Sequence, residues 1–191
     1  KIKMADFKPT ISHIVCTDRL GVIGYSNKLP WHIPEELEYF KNKTKDSIIV
    51  MGNNTYKSLR RPLPNRINIV VGNNPSSDIE DSVYFLNDLD EALIKALDIA
   101  EEKEKNIFII GGSSIYKQTF DIVDNIFLSV ININLKYHYK HASEYNNFVY
   151  YPIEEHNEKF KIISNQTLHT TSTVNTVKVF ELVKDITDEN I

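Results

Sequence analysis

The sequence is short of cysteine, of basic charge and of long apolar runs, and each shortage removes a class of protein. A single cysteine, Cys16, in 191 residues rules out an internal disulfide framework and fits a reducing compartment. It lies in the apolar run Ile14-Val15-Cys16, where a small buried hydrophobe is a better reading than a nucleophile. Basic residues number 22 against 26 acidic, a net charge of -4, without the basic excess or stripe of a duplex-binding module. No stretch approaches the ~18 consecutive apolar residues of a membrane span, and the opening Lys1-Ile2-Lys3-Met4 lacks a signal-peptide core. The expectation is a cytoplasmic protein with no nucleic-acid or membrane partner. Repeats and an internal linker are absent too, which leaves one domain over residues 11–183, a poorly specified extension over 1–10 and a tail over 184–191.

What is present is an ordinary globular composition, 41% hydrophobic and 25% charged, with length enough for a sizeable core. Ser12–Cys16, Ser47–Met51, Ile67–Val71, Val83–Phe85, Ile107–Ile110 and Asn125–Val130 read as strands, several apolar throughout as strands covered on both faces must be. Leu89, Ala92, Leu93, Ala96, Leu97 and Ala100 recur at helical spacing. Lys161–His169 and Thr173–Leu182 read as two longer strands joined by a short polar turn. Residues 132–151 are polar, rich in tyrosine and without a clear period, and are read as an inserted loop. The fold class is α/β: a single domain with a mostly parallel central β-sheet flanked by helices and an antiparallel C-terminal edge.

Four constellations carry chemistry. In Leu29-Pro30-Trp31-His32-Ile33-Pro34-Glu35-Glu36-Leu37-Glu38-Tyr39-Phe40, Pro34 opens a helix on which Glu36 and Phe40, four apart, share a face. The plain alternative is that the glutamates complement the helix dipole. Val50-Met51-Gly52-Asn53-Asn54-Thr55-Tyr56 and Ile109-Ile110-Gly111-Gly112-Ser113-Ser114-Ile115-Tyr116 each run from strand through glycine into a helix start, where phosphate is attracted. Such turns occur throughout α/β proteins, and the usual G-x-G-x-x-G fingerprint is absent. On parallel strands the two would face one crevice at the carboxyl edge of the sheet. Last, Arg60-Arg61-Pro62-Leu63-Pro64-Asn65-Arg66 sets arginines on a stiff loop that would hold a carboxylate, or would simply be solvated.

Taken in order, these pieces resemble dihydrofolate reductase from about Ile11 to Val183. The match runs from Gly21-Val22-Ile23-Gly24 and Leu29-Pro30-Trp31 through Glu36, Phe40, Met51-Gly52, Thr55, Ser58, Arg61-Pro62-Leu63-Pro64 and Arg66. It ends with Ile110-Gly111-Gly112, Tyr116 and Phe180-Glu181. The resemblance implies hydride transfer from NADPH to 7,8-dihydrofolate, giving tetrahydrofolate for one-carbon metabolism and thymidylate synthesis. It casts Glu36 as the acid that binds the pterin, with Trp31 (through water) and Ser129 supporting its carboxylate. Phe40, Leu59 and Leu63 become the apolar wall, Arg66 the partner of the glutamate tail, and the Ile14 and Ile110 carbonyls face the pterin amino group. Cys16, Ile23, Gly24, Gly52, Asn53, Asn54, Thr55, Val71, Gly72, Asn73 and Gly111, Gly112, Ser113, Ser114, Ile115 and Tyr116 fall on the dinucleotide surface. The Gly111–Gly112 peptide is expected to be cis, and residues 24–29 to act as a lid. Burial should raise the pKa of Glu36 while the helix start lowers it, and the sequence leaves the balance open.

Two departures follow. The basic residue that commonly follows Met-Gly and contacts the 2′-phosphate is replaced by Asn53, so NADH stays open as a donor beside NADPH. Asn147-Phe148-Val149 stands where relatives often carry an acid, so lid contacts should differ. Competing readings are a reductase of another heterocycle, such as a pyrimidine, and a non-catalytic homologue. His138, His141 and Glu144 suggest a metal site, but the segment shows no helical stripe and exposed loop histidines are the preferred reading; no metal is expected. Some members are fused to thymidylate synthase, so the chain is expected either as a monomer or as part of such a fusion.

Overall fold

The computed structural model describes residues 7–25, 31–73, 82–133, 147–171 and 176–185. Among the described residues ten strands and four α-helices follow one another: β1 (Ile11–Thr17), β2 (Val22–Tyr25), α1 (Pro34–Thr44), β3 (Ile48–Gly52), α2 (Asn53–Leu59), β4 (Ile67–Val71) and β5 (Val83–Leu86). Then come α3 (Leu89–Lys103), β6 (Ile107–Gly111), α4 (Ser113–Thr119), β7 (Asn125–Ile131), β8 (Phe148–Tyr150), a 3₁₀ segment Ile153–Lys159, β9 (Phe160–His169) and β10 (Thr176–Lys184). Eight strands form one sheet in the order β5-β4-β3-β6-β1-β7-β10-β9. It is parallel from β5 to β7 and antiparallel at the β7–β10 and β10–β9 pairs. The expected α/β sheet with an antiparallel C-terminal edge is therefore the observed one.

Period-2 alternation divides the core between the two faces of the sheet. Ile48 and Val50, Ile107 and Ile109, Val15 and Ile126 face α3 and α4, joining Ala92, Ala96, Ile99, Ala100, Ile115 and Tyr116. Their neighbours Ile49, Met51, Val70, Phe108, Ile14 and Phe127 face the other way, against Tyr39 and Phe40 of α1 and Tyr56 and Leu59 of α2. This double coverage explains why the strands read as continuous apolar runs. Local chemistry sets the helix ends. Asp88 caps α3 by accepting from the Glu91 N–H at 2.9 Å. Pro34 starts α1, and Ile33 before it is extended (φ -128°, ψ 102°) as a residue preceding proline must be.

Two features depart from the sequence reading. The segment 132–151 is not loop to its end, because Phe148–Tyr150 is a strand that pairs antiparallel with β2 in a separate two-stranded sheet. Both strands are too short to show a period, and what holds them is the packing of buried Phe148 against Val22. Gly24 accordingly lies in a strand, while residues 26–29 of the expected lid and 134–146 of the insertion, with His138, His141 and Glu144, lie outside the described residues. The 3₁₀ segment was also not anticipated. No described helix is long and apolar enough to cross a membrane.

Candidate active site

Glu36 enters the molecule on the first turn of α1 and is only 8% exposed. Burial lifts its pKa to about 7, against smaller downward pulls from Cys16 and Ser129. Desolvation therefore outweighs these two pulls. Below it, Cys16 of β1 and Ser129 of β7 are register partners on adjacent parallel strands. Ser129 is 1% exposed and its hydroxyl has no hydrogen-bond partner among the described residues. Burial and then the Glu36 charge push the Cys16 thiol up, whereas an interaction with the Trp31 indole opposes them. Trp31 packs on one side with Cys16 and Ile33, and on the other with Val22 and Phe148 of the small sheet. Glu35, one residue before Glu36, turns outward and accepts from the Thr171 N–H and hydroxyl, both at 2.9 Å.

The expected apolar wall comes together: Ile14, Phe40, Leu59, Leu63 and Ile110 belong to one cluster. The pairing of β1 with β6 ends at His13 and Ile109, so the two strands part at Ile14 and Ile110, the two positions named for their carbonyls. The Ile14 carbonyl accepts from the Tyr116 hydroxyl at 2.8 Å. At the wall's end, Arg66 is buried; its Nε donates to Pro64 O (2.9 Å) and Nη1 to Thr44 Oγ1 (3.1 Å). Two internal bonds leave further guanidinium N–H groups available to a ligand. The loop is fastened by buried Asn68, which accepts from the Leu63 N–H at 2.9 Å and donates to Leu63 O and Arg66 O at 3.0 and 3.1 Å. Asn68 and Thr44 were not singled out in the sequence; an amide inside the apolar strand Ile67–Val71 was the available signal.

The two glycine turns lie side by side at the carboxyl ends of β3 and β6, which pair as Met51 with Gly111. The Gly111–Gly112 peptide is cis, and Gly111 has φ 123°. A Cβ there would stand 3.3 Å from the Tyr116 ring and 3.6 Å from Thr55 Oγ1, so only glycine fits. Neither α2, starting at Asn53, nor α4, starting at Ser113, has a side-chain cap, in contrast to α3. Their first-turn N–H groups are therefore not committed to a capping side chain. Ser113 donates to Tyr150 O at 3.0 Å, and Ser114 accepts from Gln118 at 3.0 Å. Ile115 is buried, and Asn54 is exposed. Beyond β4, half-buried Val71 leads to Gly72, where a Cβ would lie 2.8 Å from that of Asn53, and then to exposed Asn73. Ile23 of β2 packs on the core beside α3 and α4.

A buried polar network beneath α4 was also missed. His13, fully buried, lies 2.8 Å from the Tyr151 hydroxyl and 2.7 Å from Thr119 Oγ1. Thr119 directs its proton to Ile115 O (2.8 Å) or Tyr116 O (3.1 Å). Its oxygen then accepts from His13 Nε2–H, and Nδ1 accepts from Tyr151. Burial, then the nearby His156, hold the His13 pKa down to about 3, so the ring is neutral. Among the described residues there is no cluster of side chains suited to a metal.

A family model described as dihydrofolate reductase matches residues 10–181. The dihydrofolate reductase of Bacillus subtilis is 38% identical over 122 residues, 64% of this chain and 69% of that protein. Dihydrofolate reductase type 9 of Escherichia coli is 34% identical over 127 residues (65% and 72%), and the Buchnera aphidicola enzyme 36% over 126 (65% and 74%). With a buried acid at the head of α1, paired glycine turns on neighbouring strand ends and this match along nearly the whole sheet, the chain belongs to the dihydrofolate reductase family.

Proposed function

We infer that this chain reduces 7,8-dihydrofolate to 5,6,7,8-tetrahydrofolate, with NADPH as the hydride donor, in the reducing cytoplasmic setting that its single cysteine fits. The observation that carries the reading is Glu36: a buried carboxyl held near neutrality, beside an apolar wall that ends at an arginine. Such a group can bind an amino-substituted ring and respond to its proton demand at physiological pH. Glu36 grips the pterin's amino group and adjacent ring nitrogen, with Trp31 and Ser129 as its supports. The unpartnered Ser129 hydroxyl is free to join those hydrogen bonds. Phe40, Leu59 and Leu63 hold the ring and its linker, and Arg66 pairs with the tail carboxylate.

The residues present fit a dinucleotide. Uncapped starts of α2 and α4, at the Gly52 and Gly112 turns, leave N–H groups for phosphate. When bound, the reduced nicotinamide supplies the hydride. Gly111 to Tyr116, Thr55, Ile23 and Gly24 then hold it against the pterin, because transfer requires near-contact of donor and acceptor carbons. Glu36 orients and polarises the pterin, and water carries the proton to the ring nitrogen beside the accepting carbon. At the 2′-phosphate the chain offers Asn53, Asn54, Gly72 and Asn73 and no cation, so NADH competes better here than where an arginine is present.

The test is cofactor oxidation on adding dihydrofolate, with NADPH and NADH in parallel. Turnover lost in Glu36→Gln, with the cofactor still bound, is the expected result. No turnover by the folded wild-type protein would favour another heterocycle or a non-catalytic role.

A further inference from the structure

No side chain caps α1. The residue before the helix is Ile33, which has no side-chain oxygen to offer, and Pro34 has no N–H of its own. Its first turn is closed by backbone alone, the Ile33 carbonyl accepting from the Glu36 and Leu37 N–H groups, both at 3.1 Å. The anchorage comes instead from the antiparallel edge of the sheet. Ile33, 2% exposed, is buried with Val177 and Val179 of β10, and Leu168 of β9 packs against the same cluster. Half-buried Glu35 reaches Thr171, which lies 136 residues along the chain, just past the end of β9. The Thr171 N–H and hydroxyl both donate to Glu35 Oε1 at 2.9 Å. The N–H is the foremost cause that holds the Glu35 carboxyl below its ordinary range, so the acceptor is charged at neutral pH and both bonds are charge-assisted. The head of α1 is thus held at one apolar and one polar point by the same pair of strands, and Glu36 is the next residue.

We propose that Thr171 is a positioning residue for Glu36: by donating its N–H and hydroxyl to Glu35 it fixes the first turn of α1, and with it the adjoining acid, to the end of β9. For its kinetic consequence the proposal rests on the reading of Glu36 given above. Successive residues of a helix are set about 100° apart on one rigid backbone. A rotation or fraying of the first turn that carries Glu35 away therefore swings the Glu36 carboxyl through the same angle. A group that must meet two atoms of a planar ring tolerates only about 10–20° of misalignment, and helix ends without caps fray. Thr171 acts on the site through Glu35 and the backbone of that turn.

The experiment compares Thr171→Val, which keeps the shape and the N–H but loses the hydroxyl, with Thr171→Ser, which keeps both donors. The first readout is amide hydrogen exchange in the ligand-free chain, followed by NMR. Glu36 and Leu37 are far from Thr171 in sequence, so their intrinsic exchange is untouched and a change there reports the first turn. Their exchange should quicken roughly 3- to 10-fold in Thr171→Val and stay near the wild-type rate in Thr171→Ser, while buried Val50 of β3 keeps its rate. The second readout is steady-state kinetics. In Thr171→Val, kcat/KM for dihydrofolate should fall roughly 3- to 10-fold and the KM for NADPH should hold, with Thr171→Ser restoring the wild-type values. In a Glu35→Ala background Thr171→Val should have no further effect. Equal behaviour of the Val and Ser variants, an effect that survives in Glu35→Ala, or equal acceleration at Val50 would overturn the proposal. So would faster exchange in Thr171→Val with kcat/KM unchanged in an active enzyme. Faster exchange confined to the first turn, in a chain whose wild type does not turn over dihydrofolate, would uphold the anchoring and sink the functional reading alone.

Discussion

Replacing Glu36 with Gln should stabilise the folded chain, by an amount that grows with pH. Burial holds this carboxyl at about 7 against an ordinary 4.5. In the unfolded chain it ionises at the lower value, so between the two the folded state keeps a proton that the unfolded state has lost. Folding stability therefore falls as pH rises through that window, and above it the folded protein bears the whole cost of a buried charge. At about 1.4 kcal/mol per pH unit, the gap amounts to about 3 kcal/mol. Gln has the same shape and no charge, and whatever its amide gains or loses in hydrogen bonds is the same at every pH. Urea unfolding of both proteins at about pH 5 and about pH 8.5 isolates the ionisation. The advantage of the variant should be about 2–3 kcal/mol larger at the higher pH, or several degrees in Tm at roughly 2–4 °C per kcal/mol. If the two stability curves ran parallel across this range, the reasoning about the buried carboxyl would be refuted. The same substitution should abolish most turnover, so stability and activity move in opposite directions, as expected where a site holds a charge the fold would rather not bury.

Arg66→Leu should raise the KM for dihydrofolate by roughly 10- to 100-fold with little change in kcat, since a charge-assisted pair far from the reacting carbons is lost; steady-state kinetics with an unchanged KM would count against the placement. Asn53→Arg should increase the preference for NADPH over NADH in kcat/KM by about tenfold or more, by adding a cation for the 2′-phosphate. A ratio that does not move would place the phosphate elsewhere. Tyr151→Phe removes the donor to His13 Nδ1 inside the core and should cost about 1–3 kcal/mol in chemical denaturation. Wild-type stability in that variant would mean the acceptor finds another partner.

Much of the architecture was legible along the chain because both faces of the sheet are covered. Such strands read as nearly continuous apolar runs, so Ile48–Gly52, Ile107–Gly111 and, apart from Asn68, Ile67–Val71 announce themselves without any tertiary information. Pro34, Glu36 and Phe40 likewise declare a helix with an acid and a ring on one face, and the two glycine turns mark where strands give way to helices. The second sheet was not legible, since three- and four-residue strands carry no period and exist only through Phe148 meeting Val22. Nor could the sequence assign partners across distance. Asn68 fastening the Arg66 loop, His13 joining Tyr151 to Thr119, and Cys16 beside Ser129 beneath Glu36 are contacts between separated segments, set by strand register. The sequence alone determined which residues bring acid, glycine and arginine to the molecule. The tertiary structure alone decided that burial lifts the Glu36 carboxyl well above its ordinary range, because desolvation depends on what the rest of the chain packs around it.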